Sequence, residues 1–241
     1  MESYKAHGIV LHTIKYGDSS LVAYILTDTH GRQNYLVQGV KGGKSKGNKG
    51  ALLQPMFLLE FEGIPSRRSQ MDRLKEIRLS EPLQHIPFDV RKSTISLFMA
   101  EVLYRLIREV EPNSPLFGFV RDSVIALDRM EEGIANFHLW FLVQLSAFLG
   151  FYPANDHTEG AWFDIAEGSF VETFPDHALA LNRANSALLA TLMTTEASEL
   201  GTLQLARTQR ADFLDAMLHY FGYHLDAIAK VQSLRILGEI F

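Results

Sequence analysis

Three observations predict an α+β fold, a five-stranded N-terminal barrel followed by an α-helical domain with a small hairpin insertion. Short runs rich in β-branched and aromatic residues crowd residues 1–80. Gly, Asp and Asn turn signals separate them. After Pro82 and Pro87 the apolar spacing changes from alternation to the i, i+3, i+4 period of helices.

The candidate strands are residues 4–12, 20–27, 32–40 and 55–62, with 70–79 as a fifth. Gly17-Asp18, His30-Gly31 and a glycine/lysine stretch punctuate them. Five short strands in this length suit an OB-fold, a scaffold that binds nucleic acid in many proteins but not in all. Ile95, Phe98, Met99, Val102, Leu103, Leu106, Ile107 and Val110 then mark an amphipathic helix that Glu111 to Pro115 ends. Ser114 and Pro115 read as the N-cap and N1 of a second helix, carrying Leu116, Phe117, Val120, Val124 and Leu127. A third helix over 134–149 stops at Gly150, with Pro153 beyond. Trp162 to Ile165 and Ser169 to Glu172 flank Ala166-Glu167-Gly168 as a hairpin. Helices resume over 184–194, 207–228 and 231–238. The expected division is a nucleic-acid-binding barrel over 1–80 and a helical domain over 81–241.

The composition sets limits. There is no cysteine, which excludes disulfides and thiolate metal sites. The N-terminus has no apolar signal-peptide core and no stretch reaches the ~18 apolar residues of a membrane span. A cytoplasmic protein without a membrane partner is expected. The net charge of −5 hides an asymmetry: residues 1–80 hold 12 Lys/Arg against 7 Asp/Glu, and residues 81–241 hold 11 against 21. A basic barrel ahead of an acidic remainder predicts a polyanion at one end and a different partner at the other.

Catalytic patterns are missing. Gly39-Val-Lys-Gly-Gly-Lys-Ser45 is one residue short of a phosphate-binding P-loop and no helix pattern follows it. His219 and His224 are five apart and do not share a helix face. His157, Asp164 and His177 could meet across the hairpin, but the ordinary reading is half-buried histidines rather than a metal site. No Gly-x-Ser-x-Gly elbow occurs. Neither an enzyme nor a cofactor is expected.

The basic residues are more coherent. Arg32, Lys41, Lys44, Lys46, Lys49, Arg67, Arg68 and Arg73 fall on barrel strands or loops. Four of the lysines sit in one glycine-rich loop that exposes backbone N–H groups and suits phosphates. Tyr4, Tyr16, Tyr24 and Tyr35 are interleaved with them. Such aromatics either stack bases or pack the barrel, and the lysine loop either tracks a phosphate backbone or is a solvated turn.

An ordered set of segments carries a resemblance. Gly8-Ile-Val-Leu11, Tyr16-Gly-Asp-Ser-Ser20, Leu26-Thr27, Gly31-Arg32, Gly39 to Ser45 and Leu53-Gln54-Pro55 are followed by Ala100-Glu101-Val-Leu-Tyr104, Glu109-Val-Glu-Pro112 and Leu116-Phe117. Leu149-Gly-Phe-Tyr-Pro153 and Val231-Gln-Ser233-Leu-Arg235 complete it. Over nearly its whole length the chain resembles the RecO family of bacterial DNA repair and recombination mediators.

That resemblance implies an OB-fold, a helical bundle and a small zinc-finger-like insertion at 154–176. It also implies binding of single- and double-stranded DNA and annealing of strands coated with single-strand binding protein. With RecR, such proteins help load RecA without a nucleotide. Many family members carry four cysteines after the Gly-Tyr-x-Pro-like segment, and this chain has none. The expectation is a hairpin that has lost its zinc and is held by Trp162, Phe163 and Phe170, at ~2 kcal/mol per large side chain. The acidic C-terminal tail of single-strand binding protein needs an apolar pocket with an arginine nearby. Arg105, Arg108, Arg121 and Arg129 are the candidates, against the ordinary reading of exposed or ion-paired helix residues. Two alternatives stay open. One is a general single-stranded DNA or RNA binder without mediator activity. The other is a helical small-molecule or assembly module behind an ordinary lysine turn.

Overall fold

The computed structural model describes residues 2–40, 49–66, 71–108, 111–225, 231 and 233–241. The chain divides into two compact units, Met1–Asp128 and Arg129–Phe241.

In the first unit, β1 (Tyr4–Tyr16), β2 (Ser20–Thr27), β3 (Gly31–Gln38), β4 (Leu58–Ile64) and β5 (Asp72–Glu81) close a barrel in the order β1-β2-β3-β5-β4. This is an OB-fold. Every pairing is antiparallel except β3 with β5, where Tyr35 faces Asp72 and Leu36 faces Arg73. Strand alternation sends Val10, Ala23, Ile25, Tyr35, Val37, Leu59, Phe61 and Leu74 into one apolar core. A register shift between Val10 and His12 marks a bulge in β1. The bulge moves the alternation by one residue and lets the strand run on to Tyr16, past the expected end at His12.

The barrel closes on a polar contact. A Cβ at Gly63 would lie 2.4 Å from the Tyr4 ring, so a bare backbone there lets the ring lie over β4. The Tyr4 hydroxyl donates to Asp72 Oδ2 at 2.9 Å and sits 3.1 Å from the Tyr35 hydroxyl. Burial is the main reason the Tyr4 pKa is pushed up to about 12, and burial drives Tyr35 in the same direction.

Asp89 caps α1 (Val90–Leu106) by accepting from the backbone N–H groups of Arg91 and Lys92. The helix lies against β1 and buries Ile95, Phe98, Met99, Val102 and Leu103. It stops earlier than its apolar period, because Ile107 is extended at φ −87° and ψ 109°. In α2 (Ser114–Arg129), the Asp128 carboxylate accepts the backbone N–H groups of Gln84, His85 and Ile86 at 2.7 to 2.8 Å. Burial alone would raise its pKa, but these three bonds, with His85 beside it, hold the group below the ordinary aspartate value.

The second unit holds α3 (Phe137–Phe148), β6 (Trp162–Asp164), β7 (Ser169–Val171), β8 (Ala180–Leu181), α4 (Arg183–Thr194), α5 (Arg207–His224) and α6 (Ser233–Ile240). The expected hairpin is β6 with β7, and β8 adds a third strand on the other side of β6. Phe163 is fully buried, its ring 5.0 Å from Phe170 and 5.2 Å from Tyr220. Trp162 is half-buried against Phe174. The expected helix over 207–228 ends at His224, and residues 226–230 lie outside the described residues. Among the described residues no helix is long and apolar enough to cross a membrane.

Candidate nucleic-acid interface

The basic residues of the barrel occupy different environments. The glycine/lysine loop leaves β3 at Gly39 and Val40, where the Val40 N–H donates to the Ser19 carbonyl at 2.9 Å. It therefore starts beside the β1–β2 turn. Lys49 opens a short 3₁₀ turn, Lys49–Leu52, and Leu53 next to it is buried in the barrel core. Lys41, Lys44 and Lys46 lie outside the described residues, as do Arg67 and Arg68. Arg73 is exposed on β5 beside Leu36.

Arg32 does not join the exposed set. Its guanidinium donates to the carbonyls of Tyr104 at 2.7 Å and Ile107 at 2.5 Å, the open carbonyls at the end of α1. It also lies over the rings of Tyr24 and Tyr104, 5.1 and 4.5 Å from their centroids. This is a cationic helix C-cap, favoured by the helix dipole. The His12 ring packs on Tyr104 at 4.5 Å, and burial, with the charge of Arg32 second, lowers its pKa.

The four interleaved tyrosines separate by the same criterion. Tyr35 is wholly inside the barrel, Tyr4 is bonded to it, and Tyr24 stands edge-on to Tyr104. Tyr16 is the exposed one, at 54%.

The four arginines proposed for an acidic tail have different surroundings. Arg105 is bonded to Glu101 one turn back, and Arg121 to its neighbour Asp122. Arg108, just past the end of α1, and Arg129, at the end of α2, are exposed. Arg121 also lines a cavity of 410 Å³ whose other walls include Asp28 and Glu81, a poor setting for an acidic peptide. An apolar cavity of 190 Å³ in the second unit was not foreseen. Leu214, Leu234, Leu237 and Phe241 line it with Asp215, Arg207 and Arg210, and the two guanidiniums donate to the carbonyls of Gly238, Leu205 and Phe241. The sequence signal was present in the i, i+3 spacing of those two arginines on α5, but their pocket needs α6 folded back on them.

The zinc implied by the resemblance finds no ligand set. The chain has no cysteine, and among the described residues no three His, Asp or Glu are placed to hold a metal ion. His177 Nε2 meets Asp164 Oδ2 at 3.1 Å, while His157 packs edge-on against Phe170. Asp164 is otherwise occupied by the backbone N–H groups of Ala166 and Glu167 in the β6–β7 turn. The residues present do not fit the metal.

Comparison with known proteins agrees with this architecture. Residues 1–83 match the family described as recombination protein O N terminal, and residues 87–234 match recombination protein O C terminal. The chain belongs to the RecO family. A DNA repair protein RecO from Phocaeicola vulgatus is 36% identical over 238 residues, covering 98% of both chains. Its counterparts from Bacteroides fragilis and Flavobacterium psychrophilum are 37% and 34% identical, again over 98% of both chains. The boundary between the two RecO matches, at residues 83–87, coincides with the passage from β5 to α1.

Proposed function

We propose that this RecO-family protein is a DNA repair and recombination mediator. It binds single- and double-stranded DNA and anneals complementary strands coated with single-strand binding protein. With RecR it helps load RecA, acting in the cytoplasm on nucleoid DNA. The observation that carries the reading is an OB barrel with a basic balance, inside a chain that matches RecO proteins end to end. Lys41, Lys44, Lys46, Lys49, Arg67, Arg68 and Arg73 serve as phosphate contacts, which makes binding independent of sequence and sensitive to salt. Arg32 supports them indirectly by fixing α1 to the barrel.

Annealing by this route needs no catalytic residue and no nucleotide. Neutralising phosphate charge lets two strands approach, and contacts to the backbone rather than to base edges leave the bases free to pair. The acidic, apolar tail of single-strand binding protein meets the helical part of the chain, where Arg105, Arg108, Arg121 and Arg129 are the candidate cations.

The test is annealing of two complementary oligonucleotides coated with the cognate single-strand binding protein, without ATP, across a salt series. The expected result is acceleration that fades with salt and weakens when the coating protein lacks its acidic tail. Binding without acceleration would favour the general single-stranded DNA or RNA binder.

A further inference from the structure

The small sheet of the second unit presents an outer face with an aromatic centre. Phe163 packs inward on Phe170 and Tyr220. Strand alternation sends Trp162 and Val171, opposite each other on β6 and β7, to the other side. Trp162 is half-buried, and Phe174 stands edge-on to it at 4.9 Å while remaining 50% exposed. Arg183 lies over the Trp162 ring, 5.3 Å from its centroid, and holds it in place.

The charge around that centre is of one sign. Residues 130–182 contain no lysine or arginine, and Asp156, Glu159, Glu167, Glu172 and Asp176 are all exposed. Buried Asp164 is bonded to His177. Glu159, by contrast, lies three residues before Trp162, and Glu172 and Asp176 lie two residues on either side of Phe174. An aromatic centre inside a charged rim is the anatomy of a protein–protein contact, with a tryptophan as its anchor. A rim of negative charge repels nucleic acid and calls for a cationic partner.

The chain carries such a counterpart itself. Residues 1–80 hold 12 Lys/Arg against 7 Asp/Glu. Arg73 and Lys75, two apart on β5, are both exposed on its outer side, with Leu74 buried between them. We propose that the outer face of the small sheet docks on β5 of a second copy of this chain. Glu172 and Asp176 pair with Arg73 and Lys75, and Trp162 and Phe174 are covered by the contact. Each copy has one such sheet and one such barrel, so a two-fold pair makes the contact twice. The inference goes beyond the DNA-binding reading, because the contact needs no DNA. With that reading added, DNA and the acidic sheet compete for one barrel, and DNA opens the pair.

The test is sedimentation velocity of the full chain over a concentration series, at low salt and at about 0.5 M salt, which screens surface charge. At low salt the chain is expected to pass from monomer to dimer as concentration rises, and at high salt to stay monomeric. Glu172→Lys with Asp176→Lys should keep the fold, since both side chains are exposed, and abolish the dimer. Arg73→Glu with Lys75→Glu should do the same. Mixing the two double variants should restore the dimer, because a reversed sheet then meets a reversed barrel. Trp162→Ala should weaken it at least about tenfold, the loss expected of an anchor. An oligo-dT of about 12 nucleotides, within the site size of one OB-fold, should dissociate the pair. A monomer at every concentration overturns the proposal, and so does a mixture of the reversed variants that stays monomeric. A dimer that survives both reversals lies elsewhere on the surface and also overturns it. A dimer that obeys the charge swap but binds oligo-dT without dissociating overturns the competition. If no form binds oligo-dT, the DNA-binding reading falls and the contact stands.

Discussion

Arg32 shows how far a single residue can be read from its neighbours in the chain. A strand arginine just after a glycine turn has the pattern of a surface phosphate contact. Its acceptors, the carbonyls of Tyr104 and Ile107, lie 72 and 75 residues further along, and no local pattern announces them. Tyr35 is the same case, since its inward direction follows from the β2–β3 register rather than from its own residue type. The cap has an energetic consequence. Arg32→Ala removes two hydrogen bonds from a charged donor, each worth about 1.5–3 kcal/mol when partly buried, and the stacking on Tyr24 and Tyr104. A loss of about 2–4 kcal/mol in urea unfolding is expected after solvent exposure is discounted. Arg32→Lys should recover only part of it, because an ammonium can donate to the carbonyls that Nη1 now meets but cannot lie as a plane over the Tyr24 and Tyr104 rings. A stability unchanged in Arg32→Ala would place the side chain in solvent after all.

Elements were legible where their period was regular and obscure where it broke. The barrel strands and the apolar stripes of α1, α2 and α3 follow from alternation and from i, i+3, i+4 spacing. The bulge at Leu11 interrupts the alternation, which hid the last four residues of β1. The apolar period of α1 runs on to Val110, which lies outside the described residues, but the helix ends at Leu106, where the Arg32 cap and the extended backbone of Ile107 stop it. Strand β8 has only Ala180 and Leu181 and exists through its pairing with β6, so it has no sequence signal of its own. The small sheet of β6, β7 and β8 is held by aromatic packing. Phe163 is fully enclosed there, and Phe163→Ala should cost about 3–5 kcal/mol. A chelator should leave the Tm unchanged in the same protein, and metal analysis should find no stoichiometric zinc. A chelator-induced fall in Tm would mean that a ligand set forms which the described residues do not show.

At the scale of the whole molecule, the change of period near Pro82 located where barrel gives way to helix, but not where the compact units divide. Helix α1 packs on β1, and Asp128 ties α2 to the Gln84 to Ile86 segment, so the first unit extends to Asp128. The positive excess, by contrast, is confined to residues 1–80, and the remainder of the chain is acidic. On the proposed reading, the lysines of the glycine-rich loop act on DNA through charge, and charge neutralisation releases counterions. Replacing Lys41, Lys44, Lys46 and Lys49 together with alanine should lower affinity for DNA several-fold at low salt. It should also flatten the dependence of log K on log salt, by about 0.7 for each phosphate no longer neutralised on a single strand and about 0.9 on a duplex. The loss should shrink as salt rises, since the missing attraction is the one that salt already weakens. If the lysine variant keeps its slope, the loop is a solvated turn, and the phosphate contacts belong to Arg73 and its neighbours on β5.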